Sequence, residues 1–145
     1  MYPAHRALHD PMYTSWMIWS PGVPVFRDDA GALLEEPFAC AFLTAAAPNA
    51  GVVLEREPAR AAEVREVMRA RAPRSLAVAA LHGHTHLVLG AWGCGVFRND
   101  PAVVAAAYAD ELGGAYAGVF EEVVFAIFDP TAERRFLRPF EDRFA

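Results

Sequence analysis

The sequence predicts an α/β fold in which strands and helices alternate along a single domain covering residues 1–145. Short apolar runs of strand length are separated by segments whose apolar residues recur at helical spacing. A glycine-rich loop at 92–100 lies between one such run and the helix that follows it, where ligands bind in α/β sheets. The hydrophobic fraction of 54% and the charged fraction of 21% fit a globular domain that buries its own core.

Residues 1–22 form the least regular segment, because three prolines interrupt any helix or strand: Pro3, Pro11 and Pro21. Their aromatic and apolar neighbours predict packing against the rest of the protein. A short extended piece is expected over 23–26, and the Asp and Gly residues of 27–31 predict a turn. The continuous apolar run 38–44 predicts a strand that is buried on both faces.

Helical spacing begins near Glu57 and continues to His82. Within this segment we expect Pro73 to kink or divide the helix and to leave a second helix over 75–81. Two pairs of opposite charge three residues apart are typical of a solvent-exposed helix face: Arg60 with Glu63 and Glu66 with Arg69.

The second half of the chain repeats the alternation of strand and helix. The apolar run 86–91 predicts a buried strand, and Asp100 is placed as the N-cap of a helix over 101–112. A further strand is expected within 120–128 and a last helix over 131–140. Strands that alternate with helices predict parallel pairs joined by right-handed crossovers.

If the strands over 38–44 and 86–91 are neighbours in one sheet, the loops that follow them lie on the same rim. The glycines of the second loop let the backbone approach a ligand closely, and its free N–H groups can face a phosphate or a diphosphate.

Charge and composition exclude several classes of function. The net charge of −5 argues against direct nucleic-acid binding, which relies on a basic face. All 13 basic residues are Arg, so a Walker-type phosphate loop and Schiff-base chemistry are excluded for lack of Lys. No apolar run is long enough for a membrane span and no signal peptide is recognised, which makes the cytoplasm the expected location.

Other candidate groups carry two interpretations each. Cys94 is either a nucleophile or a small residue packed in the loop, and Cys40 forms no disulfide or metal motif with it. His82, His84 and His86 either hold a metal or have structural roles at a helix end, and we expect no metal. Three tryptophans either stack on a base or pack internally: Trp16, Trp19 and Trp92. Arg27 and Arg98 either bind phosphate or are exposed loop residues.

Three motifs in order along the chain resemble those of the microbial-type poly(ADP-ribose) glycohydrolases, a family of macrodomain proteins. They are Ser-Pro-Gly-Val-Pro-Val-Phe-Arg-Asp-Asp at 20–29, Thr-Ala-Ala-Ala-Pro-Asn-Ala-Gly at 44–51, and Gly-Ala-Trp-Gly-Cys-Gly-Val-Phe-Arg-Asn-Asp-Pro at 90–101. The resemblance covers nearly all of this chain but only the later part of the family's domain. It implies a macrodomain-like three-layer α/β/α sandwich that is truncated at its N-terminus.

The resemblance also implies which residues bind ADP-ribose. The backbone N–H groups of four residues would hold the diphosphate: Gly93, Cys94, Gly95 and Val96. Phe97 would pack on the distal ribose, Arg98 would meet phosphate, and Pro48 and Asn49 would form part of the ligand rim. Neither a cofactor nor a metal is implied.

The family's catalytic signature, a Gly-Gly-Gly stretch followed by Gln-Glu-Glu, is absent from this sequence, so no catalytic residue is assigned. The expected function is therefore an ADP-ribose-binding module, which takes ADP-ribose or an ADP-ribosylated protein. Two alternatives remain: a glycohydrolase that uses another carboxylate or a partner chain, and a structural module with a vestigial pocket. The carboxylates weighed as substitute acids are Asp28, Asp29, Glu35, Glu36, Glu121 and Glu122.

The resemblance does not cover the first strands of the family's domain. Without those strands a sheet edge would be exposed, which predicts a homo-oligomer or an N-terminal partner chain.

Overall fold

A computed structural model describes all residues 1–145 and contains two small sheets and five α-helices. The elements in chain order are α1 (Tyr2–Leu8), β1 (Met17–Arg27), β2 (Leu33–Ala45), α2 (Ala50–Arg56), a 3₁₀ turn (Pro58–Arg60), α3 (Ala61–Leu81), β3 (His86–Leu89), α4 (Pro101–Leu112), β4 (Glu122–Phe125) and α5 (Arg138–Phe144). None of these helices combines the length and the apolar character needed to cross a membrane.

The first two strands form a long antiparallel hairpin that is separate from the second sheet. The prediction that the 38–44 strand is buried on both faces and pairs in parallel with the later strands is wrong for this structure. The connection between β1 and β2 is a short turn closed by Gly31, and a parallel pair needs a crossover of a dozen or more residues. Phe38 and Phe42 are about half exposed, at 56% and 49%.

The parallel pair predicted for the second half is confirmed. Strand β3 pairs in parallel with β4 in a register that runs from His86 opposite Glu122 to Leu89 opposite Phe125. Helix α4 forms the crossover between them and has the predicted bounds. Its N-cap is Asp100, whose Oδ1 accepts the Ala102 N–H at 2.9 Å.

Helix α3 is one continuous helix of 21 residues, so the prediction of a helix divided at Pro73 is wrong. Residues on either side of the proline, Ala72 and Leu76, are fully buried, and this packing holds the helix together where one backbone hydrogen bond is missing. Pro3 is compatible with helix α1 because it lies in the first turn, where no N–H donor is required.

The core lies between helices α3, α4 and α5 and one face of the parallel pair. Its ten buried residues are Ala47, Met68, Ala72, Leu76, Cys94, Val104, Ala105, Ala107, Tyr108 and Phe140. Leu87, Leu89 and Phe125 pack against this cluster from the sheet. The alternate residues Val88 and Val124 are exposed, so helices cover one face of the pair and the other face is open.

Candidate functional site

The two loops predicted to form a ligand rim meet in the structure. The buried Asn99 side chain joins them, because its Nδ2 donates to the Pro48 carbonyl at 2.8 Å and to the Gly93 carbonyl at 3.0 Å. A second tie is the Gly51 N–H, which donates to the Phe97 carbonyl at 2.9 Å. The loops therefore converge although β2 and β3 belong to different sheets.

Gly93 is the position at which the loops approach most closely. A Cβ there would lie 2.5 Å from both the Ala47 Cβ and the Asn99 Nδ2. Its φ of +72° is also one that residues with side chains adopt at a cost. Only glycine satisfies both conditions, so this glycine is required by the loop itself, whether or not a ligand is bound.

The loop leaves several amide groups without a protein partner. The N–H groups of Gly93, Gly95, Val96 and Phe97 donate to no backbone or side-chain acceptor. The Cys94 N–H is engaged, since it donates to the Ala91 carbonyl at 3.0 Å. The Cys94 N–H, which was predicted as a ligand donor, thus already has an acceptor within the loop, whereas the N–H groups of its neighbours have none. Free amide groups of this kind can face an anion.

A cavity of about 220 Å³, lined by apolar side chains and by exposed backbone polar groups, lies beside this loop, at the carboxyl ends of β3 and β4. Its lining residues are Ala91, Cys94, Gly95, Ala126, Ile127, Phe128 and Phe136. Of these seven residues, only Cys94 and Gly95 were predicted as site residues. The strand predicted over 120–128 ends with three of the lining residues, Ala126, Ile127 and Phe128. The rule that ligands bind at the carboxyl ends of strands could therefore have identified Phe128. Phe136 lies in a loop without any such signal.

Asp129 holds the loop that brings Phe136 to the cavity. Its Oδ2 accepts the Phe136 N–H at 2.6 Å and the Leu137 N–H at 3.0 Å, and its Oδ1 accepts both the N–H and the hydroxyl of Thr131. Burial raises the pKa of this carboxyl, but the four hydrogen bonds outweigh burial and lower the pKa to about 2. These bonds occupy the 131–137 segment, so the last helix begins at Arg138 and not near 131 as predicted.

Cys94 is a packed loop residue and not a nucleophile. Its side chain is buried in the core cluster, and burial together with the Asp100 carboxylate raises the pKa of the thiol to about 12. A thiol with that pKa is protonated at neutral pH and therefore unreactive.

The carboxylates weighed as substitute acids lie outside the cavity, since none of the residues that line it is Asp or Glu. Asp28 accepts the Ala32 N–H within the hairpin turn, and Glu121 lies 4.0 Å from His86. A general acid for glycoside hydrolysis must reach the leaving oxygen. The chain itself brings no such group to the cavity.

The three histidines do not gather at one point. His82 caps α3 and stacks on Trp19 with ring centroids 4.4 Å apart, and His84 contacts the same indole at 5.1 Å. His86 begins β3 and faces Glu121. The structural interpretation of Trp19 and of His82 is therefore the one that the geometry supports.

The other tryptophans and the two loop arginines also have definite places. Trp92 donates its Nε1–H to the Ala45 carbonyl at 3.3 Å, and Trp16 is exposed. Arg27 binds the Gly31 carbonyl in the hairpin turn. Arg98 packs on Gly51 and lines a different cavity, of about 240 Å³, between α2, α3 and α4. The structure thus separates Arg98 from the cavity beside Gly95.

A loop with free amide groups, beside a cavity at the carboxyl ends of a parallel strand pair, is the arrangement typical of ligand sites in α/β proteins, and the fold is macrodomain-like. Comparisons with known proteins specify the class further. The family model of the microbial-type PARG catalytic domain matches residues 1–28. A comparison with curated proteins gives no match.

Solved structures match over almost the whole chain. Poly(ADP-ribose) glycohydrolase from Deinococcus radiodurans, in complex with ADP-ribose, is 48% identical with a TM-score of 0.93, over 98% of this chain and 57% of that one. The Thermomonospora curvata enzyme is 50% identical with a TM-score of 0.91, over 99% of this chain and 52% of that one. The chain matches microbial-type poly(ADP-ribose) glycohydrolases in sequence and in fold over nearly all of its own length, and it spans about half the length of these relatives.

Proposed function

We propose that the chain binds ADP-ribose in the cavity beside the glycine-rich loop. The observation that carries the proposal is the row of unpartnered N–H groups at Gly93, Gly95 and Val96, next to a cavity lined by apolar side chains and backbone polar groups. Several converging amide donors suit a diphosphate, apolar side chains suit a base, and backbone polar groups suit the hydroxyls of a ribose. The D. radiodurans relative is a complex with ADP-ribose, which supports the same ligand for this chain.

In this proposal the diphosphate lies on the amide groups of Gly93, Gly95 and Val96, and the distal ribose packs on Phe97. Pro48 forms the opposite rim. Asn49 supports that rim from behind, because its side chain caps α2 at the Val52 N–H, 3.2 Å away. We add Phe128, a residue of the cavity lining that is 88% exposed and whose ring offers a face on which a base can stack.

A second candidate function is glycoside hydrolysis of ADP-ribose polymers or of ADP-ribosylated proteins. The observation that favours it is the match with two poly(ADP-ribose) glycohydrolases. Because no carboxylate lines the cavity, the general acid in this candidate comes from a partner chain. Release of free ADP-ribose from a modified protein by the chain alone would contradict that origin of the acid.

We further propose that the open face of the β3–β4 pair is covered by another polypeptide segment, in a homo-oligomer or in an N-terminal partner chain. Two strands are too few for a stable sheet, and the exposed valines of this face are apolar. A cytoplasmic location is proposed as well, supported by two free cysteines that form no disulfide.

Calorimetric titration with ADP-ribose, using ADP and NAD as comparison ligands, tests the binding function. We expect saturable binding with preference for ADP-ribose. The variant Gly95→Val places a side chain at the cavity wall, where the backbone has open space for it, and should abolish binding without unfolding the protein. Ala39→Val on the exposed hairpin is the matched control. Absence of binding at millimolar ADP-ribose would refute the proposal.

A further inference from the structure

The ring of Phe97 is backed by a residue from the N-terminal segment. The Tyr13 ring lies against it with centroids 5.8 Å apart and an interplanar angle of 33°. The Phe97 main chain is held separately, through the hydrogen bond from Gly51 to its carbonyl. The backbone of Phe97 is therefore fixed by one contact, whereas its ring packs against the buried core cluster and against the Tyr13 ring, which is its aromatic neighbour.

Tyr13 adopts a conformation that a bulky residue rarely takes, with φ at +57°. Such a conformation is strained and persists only where the surroundings enforce it. Its N–H donates to the Asp10 carbonyl at 3.0 Å, and its ring contacts His5 at 5.3 Å. The strained backbone directs the ring toward Phe97.

Arg71 is the group that enforces this conformation. Its guanidinium is buried and donates to the Tyr13 carbonyl at 2.9 Å, to the Ala46 carbonyl at 3.0 Å and to the Ser15 hydroxyl at 3.3 Å. No carboxylate pairs with it. A buried charge bound only to neutral acceptors is costly to retain. Here it ties the Tyr13 segment to the residue that precedes the Ala47–Asn49 rim.

We propose that Tyr13 is a positioning residue for Phe97, and that through it the N-terminal segment sets the preference of the site for a ligand with a distal ribose. The inference rests on the proposed function, because Phe97 is the residue assigned there to that ribose. It adds that a residue without contact to the ligand determines the ratio of affinities for ADP-ribose and for ADP, which lacks the distal ribose.

The test compares Tyr13→Asn with Tyr13→Phe in titrations with ADP-ribose and ADP. Asn tolerates a positive φ but removes the ring, and Phe keeps the ring. The Tyr13 hydroxyl has no hydrogen-bond partner, so Tyr13→Phe should bind like the unaltered protein. We expect Tyr13→Asn to weaken ADP-ribose binding about threefold to tenfold, the scale of one aromatic pair, and to leave ADP binding within twofold.

Equal losses for both ligands would overturn the proposal, because they would indicate a general structural role for Tyr13. Unchanged ADP-ribose binding by Tyr13→Asn would also overturn it. If the unaltered protein binds ADP-ribose but Tyr13→Asn has the same ratio of affinities for ADP-ribose and ADP, the inference alone fails. If the unaltered protein binds neither ligand, the proposed function fails as well. Thermal unfolding monitors the fold, and Tyr13→Leu, which keeps apolar bulk but no ring, replaces Tyr13→Asn if that variant is unfolded.

Discussion

Single residues of the loop separate the requirements of folding from those of binding. Gly93 and Gly95 both lie in the glycine-rich loop, yet a Cβ would clash at Gly93 and meets open space at Gly95. We expect Gly93→Ala to lower the free energy of unfolding by about 2–4 kcal/mol, from steric overlap and a positive φ together. Gly95→Ala, the control, should change it by less than about 0.5 kcal/mol.

Urea unfolding of the two glycine variants beside the unaltered protein measures this difference. Equal stability of both variants would contradict the loop geometry, and so would a larger loss at Gly95 than at Gly93. The comparison needs no ligand, so it examines the loop independently of the proposed function.

His5 makes the stability of the N-terminal segment depend on pH. Its Nε2 accepts the Thr14 N–H at 3.2 Å, so the bonded ring is neutral. Burial, the N-terminal ammonium and Arg71 lower its pKa from the ordinary 6.5. The folded protein thus binds fewer protons than the unfolded chain. The contribution of His5 to the free energy of unfolding is complete above pH 6.5, and it declines as the pH falls from 6.5 toward the lowered pKa of His5.

The free energy of unfolding should therefore fall between about pH 7 and about pH 5, and its slope against pH should be smaller in His5→Gln. Gln accepts the same hydrogen bond but does not titrate. His9→Gln, at an exposed histidine, is the control and should keep the slope of the unaltered protein. The same slope in His5→Gln would show that the decline originates elsewhere.

At the level of residues, sequence analysis succeeded where the cause is local. The Asp100 cap and the Arg60–Glu63 and Arg69–Glu66 pairs depend on neighbours one helical turn away, and all three are present. Contacts set by tertiary structure were not accessible. The N–H of Cys94 is engaged within the loop, and Arg98 is directed to another cavity, because of backbone conformations that composition does not specify.

At the level of elements, the two errors have different origins: tertiary packing at Pro73, and a short local turn before β2. Helix α3 continues through Pro73 because both sides of the proline are buried in the core. The apolar run in β2 indicated a central strand, but the short turn before it imposes an antiparallel hairpin. The β3–α4–β4 unit was predicted correctly, since its period, caps and crossover all indicate the same structure.

Pro73 leaves the Arg69 carbonyl without its helical donor, and this predicts that the helix can be improved. Pro73→Ala should raise the free energy of unfolding by about 1–2 kcal/mol, since the restored hydrogen bond exceeds the entropy gained by the unfolded chain. Pro58→Ala, at an exposed first position of the 3₁₀ turn, is the control and should give no gain. A loss of stability in Pro73→Ala would indicate that the proline ring fills space in the core that alanine leaves empty.

At the level of the whole molecule, the binding site and the open sheet face lie on the same β3–β4 unit. Both strands end at the cavity, through Ala91 on one side and Ala126 on the other. A segment that covers the open face therefore stabilises the strands from which the ligand loop begins. This arrangement connects the proposed partner with the proposed function, because anything that loosens the pair also loosens the loop.

The open face leads to a prediction about association. Val88 and Val124 are paired across the two strands and exposed at 75% and 45%, an apolar surface that favours contact with another chain. Light scattering should find the protein larger than one chain at micromolar concentration. Val88→Lys should shift it toward the monomer, because lysine opposes edge and face pairing. Glu55→Lys, at an exposed position of helix α2 and not on this face, is the control for an added lysine. A strictly monomeric protein that binds no apolar dye would contradict the prediction. If Val88→Lys loses both the oligomer and its affinity for ADP-ribose, the covered face and the binding site are linked.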